Sequence, residues 1–264
     1  MKKKLALILA PIVLLVVLSV WYVNDYYRSD EIVQQCFALE DGVEIKEIEQ
    51  GLLIDGPGTE HAIIFYPGAK VEYTAYLPLF YQVAELGTDV FLTKMPCNFA
   101  FLGKNRGDEI LNKYDYKHWY MAGHSLGGAM AAMYSAEHLD SLEGLILLGA
   151  YPTVPMQEDG FSVLSIYGSE DLVLNKESFE QGRSFMPKEY TELCIEGGNH
   201  AQFGNYGVQK GDGTATLSSE EQQWQTVEAI CEMMEKLDGS TDLCGWSAIG
   251  ANESSGDGGG GRKR

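Results

Sequence analysis

Basic residues are scarce in this 264-residue chain: 19 Lys and Arg stand against 38 Asp and Glu, a formal net charge of −19. So acidic a surface repels phosphate backbones and anionic headgroups, so no nucleic-acid partner and no polybasic membrane patch on the folded part are expected. The five cysteines, Cys36, Cys97, Cys194, Cys231 and Cys244, include no CxxC pair and join no His/Cys cluster, so neither a metal site nor a cofactor is expected. No internal repeat occurs, and low complexity is confined to Gly245–Arg264, which has too little apolar content to fold. What is abundant is core material: 45% of residues are hydrophobic and 11% aromatic, enough for one large domain.

One apolar run is long. Leu5–Val23 carries no charge and its 19 residues match the thickness of a bilayer core. Lys2, Lys3 and Lys4 precede it and Asp25, Asp30 and Glu31 follow. Residues 1–23 therefore read as a single-pass membrane anchor with the body outside the cytoplasm, the alternative being a signal peptide cleaved from a secreted protein. Residues 24–40 read as a stalk, 41–240 as the catalytic domain and 241–264 as a flexible tail. With the body outside the cytoplasm a disulfide is permitted, and Cys231 with Cys244 is a candidate pair.

The body alternates between two periodicities. VEIKEIEQ and LLID around Gly51 predict a hairpin at a sheet edge. Short apolar strands are expected at His61–Tyr66, Asp89–Lys94, His118–Ala122, Gly144–Ala150, Ser162–Tyr167 and Tyr190–Ile195. Helices are expected between them, at Val71–Leu86, Ala100–Tyr114, Leu126–His138 and Lys176–Phe185, with a long last one at Ser219–Leu237. That order implies an α/β fold with a mostly parallel sheet, helices on both faces, and chemistry at the carboxyl ends of the strands.

Gly123-His124-Ser125-Leu126-Gly127-Gly128 is a G-x-S-x-G match lying between a predicted strand and a predicted helix, the context of a nucleophile elbow. A sharp turn there lifts a serine hydroxyl above the sheet, and small flanking residues avoid the neighbouring strands. A serine nucleophile needs a base, and the base an orienting carboxylate. Glu170 and Asp171 follow one later strand and His200 follows the next, in a glycine-flanked loop. Ser125, Asp171 and His200 stand in the chain order this architecture requires, and the shorter Asp171 is preferred to Glu170 as orienter. Oxyanion donors are expected from the backbone N–H of Leu126 and of Ala69, in the loop Pro67–Lys70. Lys70 is a candidate contact for an anionic substrate group, and Lys94, Met95, Asn98 and Phe99 are candidate pocket residues.

With those residues in place the chain resembles the α/β-hydrolase superfamily, and within it a compact bacterial group related to dienelactone hydrolases. The resemblance runs from about Ile54 to Leu237, through FYPGAKVEYTAY, TKMPCNFAFLGKNRGDEI, GHSLGGAMAA, VLSIYGSEDLV and IEGGNHAQFGNYGVQKGDGTAT. It implies the Ser125–Asp171–His200 triad and the Ala69 and Leu126 donors. Dienelactone hydrolases proper carry cysteine at the elbow; serine here shifts the expectation to carboxylic esters. The span between Ala150 and Ser162 is too short for a large lid domain, which implies small or short-chain substrates. An acyltransferase or peptidase would use the same residues, and a membrane-tethered binding protein that has lost catalysis is the other class. No oligomeric state is implied.

Overall fold

The computed structural model describes residues 2–39, 42–156, 160–188 and 190–239, with side chains of the first helix described from residue 10 onward. Among these residues eight strands form one sheet, ordered β1-β2-β4-β3-β5-β6-β7-β8. The expected edge hairpin is β1 (Glu44–Ile48) with β2 (Gly51–Asp55), and β2 also pairs antiparallel with β4 (Thr88–Thr93). From β4 through β3 (His61–Tyr66), β5 (His118–His124), β6 (Gly144–Leu148), β7 (Ser162–Gly168) and β8 (Tyr190–Ile195) every pairing is parallel.

The parallel strands read as unbroken apolar runs because both of their faces are covered, and β3, β4 and β6 are buried at every residue. Side chains alternate between the two layers of core. Ile63 and Phe65 of β3 pack in the layer that holds α3 (Leu77–Glu85) and α7 (Ser219–Asp238), while Ala62, Ile64 and Tyr66 pack in the layer of α5 (Leu126–Ala136). Glycine and proline move the helix boundaries. The predicted helix 71–86 resolves into a 3₁₀ turn, Tyr73–Tyr76, followed by α3, with Pro78 in its first turn, where no backbone N–H is needed. Ala100–Tyr114 is a 3₁₀ turn, Ala100–Leu102, then the short α4 (Arg106–Leu111). α6 (Lys176–Gly182) opens with Asn175 capping Ser178 N–H at 2.8 Å. At α7, Ser218 and Glu221 form a reciprocal capping box. No large lid domain is present among the described residues.

The segment expected as a stalk packs on the body. Tyr27 forms a parallel bridge with Val71, its N–H donating to Lys70 O at 2.7 Å and its carbonyl accepting from Glu72 N–H at 2.9 Å. Val33, in the short α2 (Ile32–Cys36), is fully buried. The expected anchor coincides with α1 (Lys2–Asn24), whose large apolar side chains from Ile12 to Tyr22 are exposed. Among the described residues no helix is long and apolar enough to cross a membrane. Cys231 is disulfide-bonded while Cys97 and Cys194 are free; Cys244 and the tail lie outside the described residues.

Candidate active site

β5 ends at His124 and the chain turns at once into α5, so one residue must absorb the change of direction. Ser125 does so with φ 54° and ψ −125°, a region that side chains rarely enter, and its N–H is tied to Leu148 O of β6 at 3.0 Å. The glycines explain how the turn closes. A Cβ on Gly127 would lie 2.3 Å from the carbonyl oxygens of Tyr66 and Pro67, and one on Gly123 would lie 2.6 Å from Gly127 O. α5 can therefore press against β3 and β5 only with these positions bare.

Asp171 follows β7 and His200 follows β8, and the parallel register brings the two loops together. Glu170 N–H donates to Gly198 O at 2.8 Å, which ties the loops to each other. His200 Nδ1 lies 2.7 Å from Asp171 Oδ2, and both side chains are 1% exposed. The other carboxylate oxygen accepts from the N–H groups of Val173 at 2.9 Å and Leu174 at 2.7 Å, so Asp171 is fixed at both oxygens. Glu170, the alternative orienter, accepts instead from the Ser169 hydroxyl. Because a carboxylate accepts, Nδ1 carries a proton, and in a neutral imidazole Nε2 is then the lone-pair nitrogen. That nitrogen is buried and has no hydrogen-bond partner.

Ser125 and His200 open on the same cleft, about 370 Å³ in volume, walled by small or apolar side chains such as Ala129, Met130, Val173 and Leu174. No hydrogen bond joins Ser125 Oγ to His200 Nε2. Leu126 lines the cleft as the first residue of α5, and its N–H has no acceptor within the helix. Ala69 sits between two committed N–H groups: Gly68 donates to Tyr76 Oη at 3.1 Å and Lys70 to Asn98 O at 2.8 Å.

The side chain of Lys70 turns toward the amino-terminal segment. Its ammonium pairs with Asp25 at 2.8 Å and lies 4.5 Å from the ring centre of Tyr22, and it does not line the cleft. The expected pocket residues Lys94, Met95, Asn98 and Phe99 are likewise absent from its walls; Met95 is buried in the core and Phe99 stacks on Tyr22.

Several residues that build the site carry no motif. Gly149, at φ +51°, lies where a Cβ would be 2.9 Å from His200 Nδ1 and 3.2 Å from Asp171 Oδ2. Gln222 of α7, fully buried, accepts from Asn199 N–H at 3.0 Å and donates to Asn199 O at 2.8 Å, while Asp212 accepts from Ala201 N–H at 2.8 Å. The residues on either side of His200 are thus clamped. The signal available in the sequence for Gln222 was a polar side chain on the apolar face of the last helix.

At the other end of the sheet Glu60, His61 and His118 bring potential metal-binding atoms within 4.8 Å of one another. The two imidazoles stack only 13° from parallel, so their in-plane lone pairs run side by side instead of converging on one ion. His118 is bracketed by Glu143 at 2.5 Å and Asp238 at 3.5 Å, and burial lowers the pKa of His61 below its ordinary value.

Residues 62–225 match the model of the Alpha/beta hydrolase family. Among solved structures, a predicted CIB-like hydrolase from Thermoplasma acidophilum is similar at TM-score 0.57 and 16% identity, over 72% of this chain and 99% of that one. Est1E from Butyrivibrio proteoclasticus is similar at TM-score 0.53 and 16% identity, over 75% and 100%. A dienelactone hydrolase from Anabaena variabilis gives TM-score 0.51 and 13% identity, over 72% and 98%. At these identities the likeness is one of fold. No curated protein sequence matches the chain.

Proposed function

The chain belongs to the alpha/beta hydrolase family, and on that premise we propose that it is a serine hydrolase that cleaves small carboxylic esters through an acyl-enzyme. The observation that carries the reading is His200, bonded to Asp171 at Nδ1, without a partner at its buried Nε2, and lining the same cleft as Ser125.

In this reading His200 Nε2 takes the proton from Ser125 Oγ as the oxygen attacks the ester carbonyl, and Asp171 stabilises the imidazolium through its bond to Nδ1–H. The developing oxyanion is received by the N–H groups of Leu126 and Ala69. Collapse expels the alcohol, protonated by His200, and leaves the acyl group on Ser125. Water then enters and attacks the acyl carbon as it gives a proton to His200, and collapse breaks the bond to Ser125 Oγ, which takes that proton back as the acid is released. The cleft volume and the uncharged wall beside His200 favour compact neutral acyl groups.

A panel of p-nitrophenyl esters of increasing chain length tests this. Turnover is expected for short acyl chains and is expected to fall beyond about eight carbons, where the chain outgrows the cleft. A preference for longer chains would contradict it. Running the reaction with an alcohol or amine present separates hydrolysis from acyl transfer by product.

We propose as well that residues 1–23 hold the body at a membrane, outside the cytoplasm. Lysines before the apolar run, acidic residues after it and the exposed apolar side chains of α1 support this. Release of the chain from membranes by alkaline carbonate would contradict it.

A further inference from the structure

The residue between the first glycine and the nucleophile of the elbow is a histidine, and it is fully buried. Nothing in the chemistry above uses it. Burial of a second imidazole 4.5 Å from that of His200 is unfavourable for its charged form, and His124 is held neutral, its pKa well below the ordinary value, chiefly by burial and then by the neighbouring His200.

A neutral buried imidazole has one donor and one acceptor, and both are matched here. His124 Nε2 lies 3.1 Å from the backbone carbonyl of His200. A carbonyl oxygen can only accept, so Nε2 carries the hydrogen and Nδ1 is the acceptor. The group at Nδ1 is Tyr76 Oη, 2.7 Å away and equally buried, and it must donate. With its hydrogen committed to Nδ1, Tyr76 Oη accepts from Gly68 N–H at 3.1 Å. Every direction in this series follows from the one carbonyl at its end. It runs from the loop expected to supply an oxyanion donor, through Tyr76 and the elbow, to the main chain of His200. Gly68 is bare where a Cβ would lie 2.8 Å from His124 Nδ1 and 3.0 Å from Tyr76 Oη, so the close approach depends on glycine.

We propose that His124 is a positioning residue that, with Tyr76, holds the main chain of His200 in register with the Pro67–Lys70 loop. The proposal rests on the reading of His200 as the base. Neither side chain touches substrate; each acts by fixing the two parts of the site that must serve the same transition state. Gln222 and Asp212 clamp the residues flanking His200, whereas His124 holds His200 itself.

Three variants and one spectrum test it in the full chain. His124→Phe keeps the ring volume but leaves the Tyr76 hydroxyl and the His200 carbonyl unpaired. It is expected to lower kcat on a short-chain p-nitrophenyl ester by roughly 10- to 100-fold with KM little changed, as loss of alignment does. His124→Gln restores one donor and one acceptor and is expected to recover most of that loss. Tyr76→Phe is expected to be costly in the wild-type background and nearly silent beside His124→Phe, since the pair acts as a unit. Full activity in His124→Phe, no recovery in a folded His124→Gln, or additive losses would each overturn the proposal. Imidazole ¹⁵N NMR of the wild type needs no activity: His124 is expected as the neutral Nε2–H tautomer without titration between about pH 5 and 8. The Nδ1–H tautomer, or a titration in that range, would overturn the proposal even if folded variants are not obtained. Failure of the wild type to turn over ester would strike the hydrolase reading alone and leave the spectrum to decide this one.

Discussion

Strand β5 begins and ends in histidine, and each end meets a second histidine at the same ring separation. His118 lies 4.5 Å from His61, and His124 lies 4.5 Å from His200. At the amino end the rings are stacked and carboxylates of Glu143 and Asp238 crowd His118, while His61 Nδ1 has no partner. At the carboxyl end the rings tilt by 48°, each hydrogen bond has a defined direction, and His200 lines a cleft. Proximity of imidazoles is common to both ends; what differs is that the carboxyl end has a partnerless His200 Nε2 and a cleft that His200 shares with Ser125, the residue on the strained turn.

Variants can break that contrast. Ser125→Ala is expected to lower ester turnover by about 10⁴- to 10⁶-fold with folding unchanged, and Asp171→Asn by about 10⁴-fold, because the amide allows the wrong His200 tautomer. Gly149→Ala adds a Cβ against His200 and Asp171 and forces a non-glycine residue to φ +51°. A loss of about 100-fold in kcat, with about 1–3 kcal/mol of stability, is expected from kinetics and thermal melts.

The amino end should respond in the opposite sense. His118→Leu removes the partner of Glu143 and Asp238, so it should cost about 1–3 kcal/mol of stability in denaturant titration while leaving kcat/KM near wild type. The pKa of His61 is lowered in the folded chain, so in acid the unfolded chain binds a proton that the folded one refuses. Its contribution to stability is complete above the unfolded value of about 6.5 and is lost as the pH falls below it. His61→Phe should therefore flatten the acid side of the stability–pH curve without moving the activity profile.

The smallest effect is expected at Lys70. Lys70→Gln removes a partly exposed pair with Asp25 and the contact with the Tyr22 ring, so activity should stay within about twofold. A large rise in KM for an anionic ester, with none for a neutral one, would return Lys70 to the site as a substrate contact.

What could be read in advance follows the range of the interactions. The elbow is local, with strand, turn and helix inside twenty residues, and the loops of Asp171 and His200 announce themselves by following apolar strands. The strand Tyr190–Ile195 has the bounds its pattern predicts. Glycine at 103 and proline at 78 blurred the helix ends, because the apolar period continues through 3₁₀ turns that lead into the helices. The Tyr27–Val71 bridge was hidden because a single bridge leaves no period of two. Tyr76, Gln222 and Asp212 were out of reach for another reason: their partners, the His124 imidazole, the Asn199 carbonyl and the Ala201 N–H, lie 48, 23 and 11 residues away, and no spacing encodes such a partner. Lys70 shows the converse, a residue of the Pro67–Lys70 loop whose side chain turns to another element.

The nucleophile can be tested directly by treating the folded chain with a fluorophosphonate near pH 7.5 and locating the adduct by mass spectrometry. One adduct on Ser125 is expected, absent from Ser125→Ala and strongly slowed in Asp171→Asn. A folded wild-type chain that takes no label, or takes it on another residue, would contradict the account.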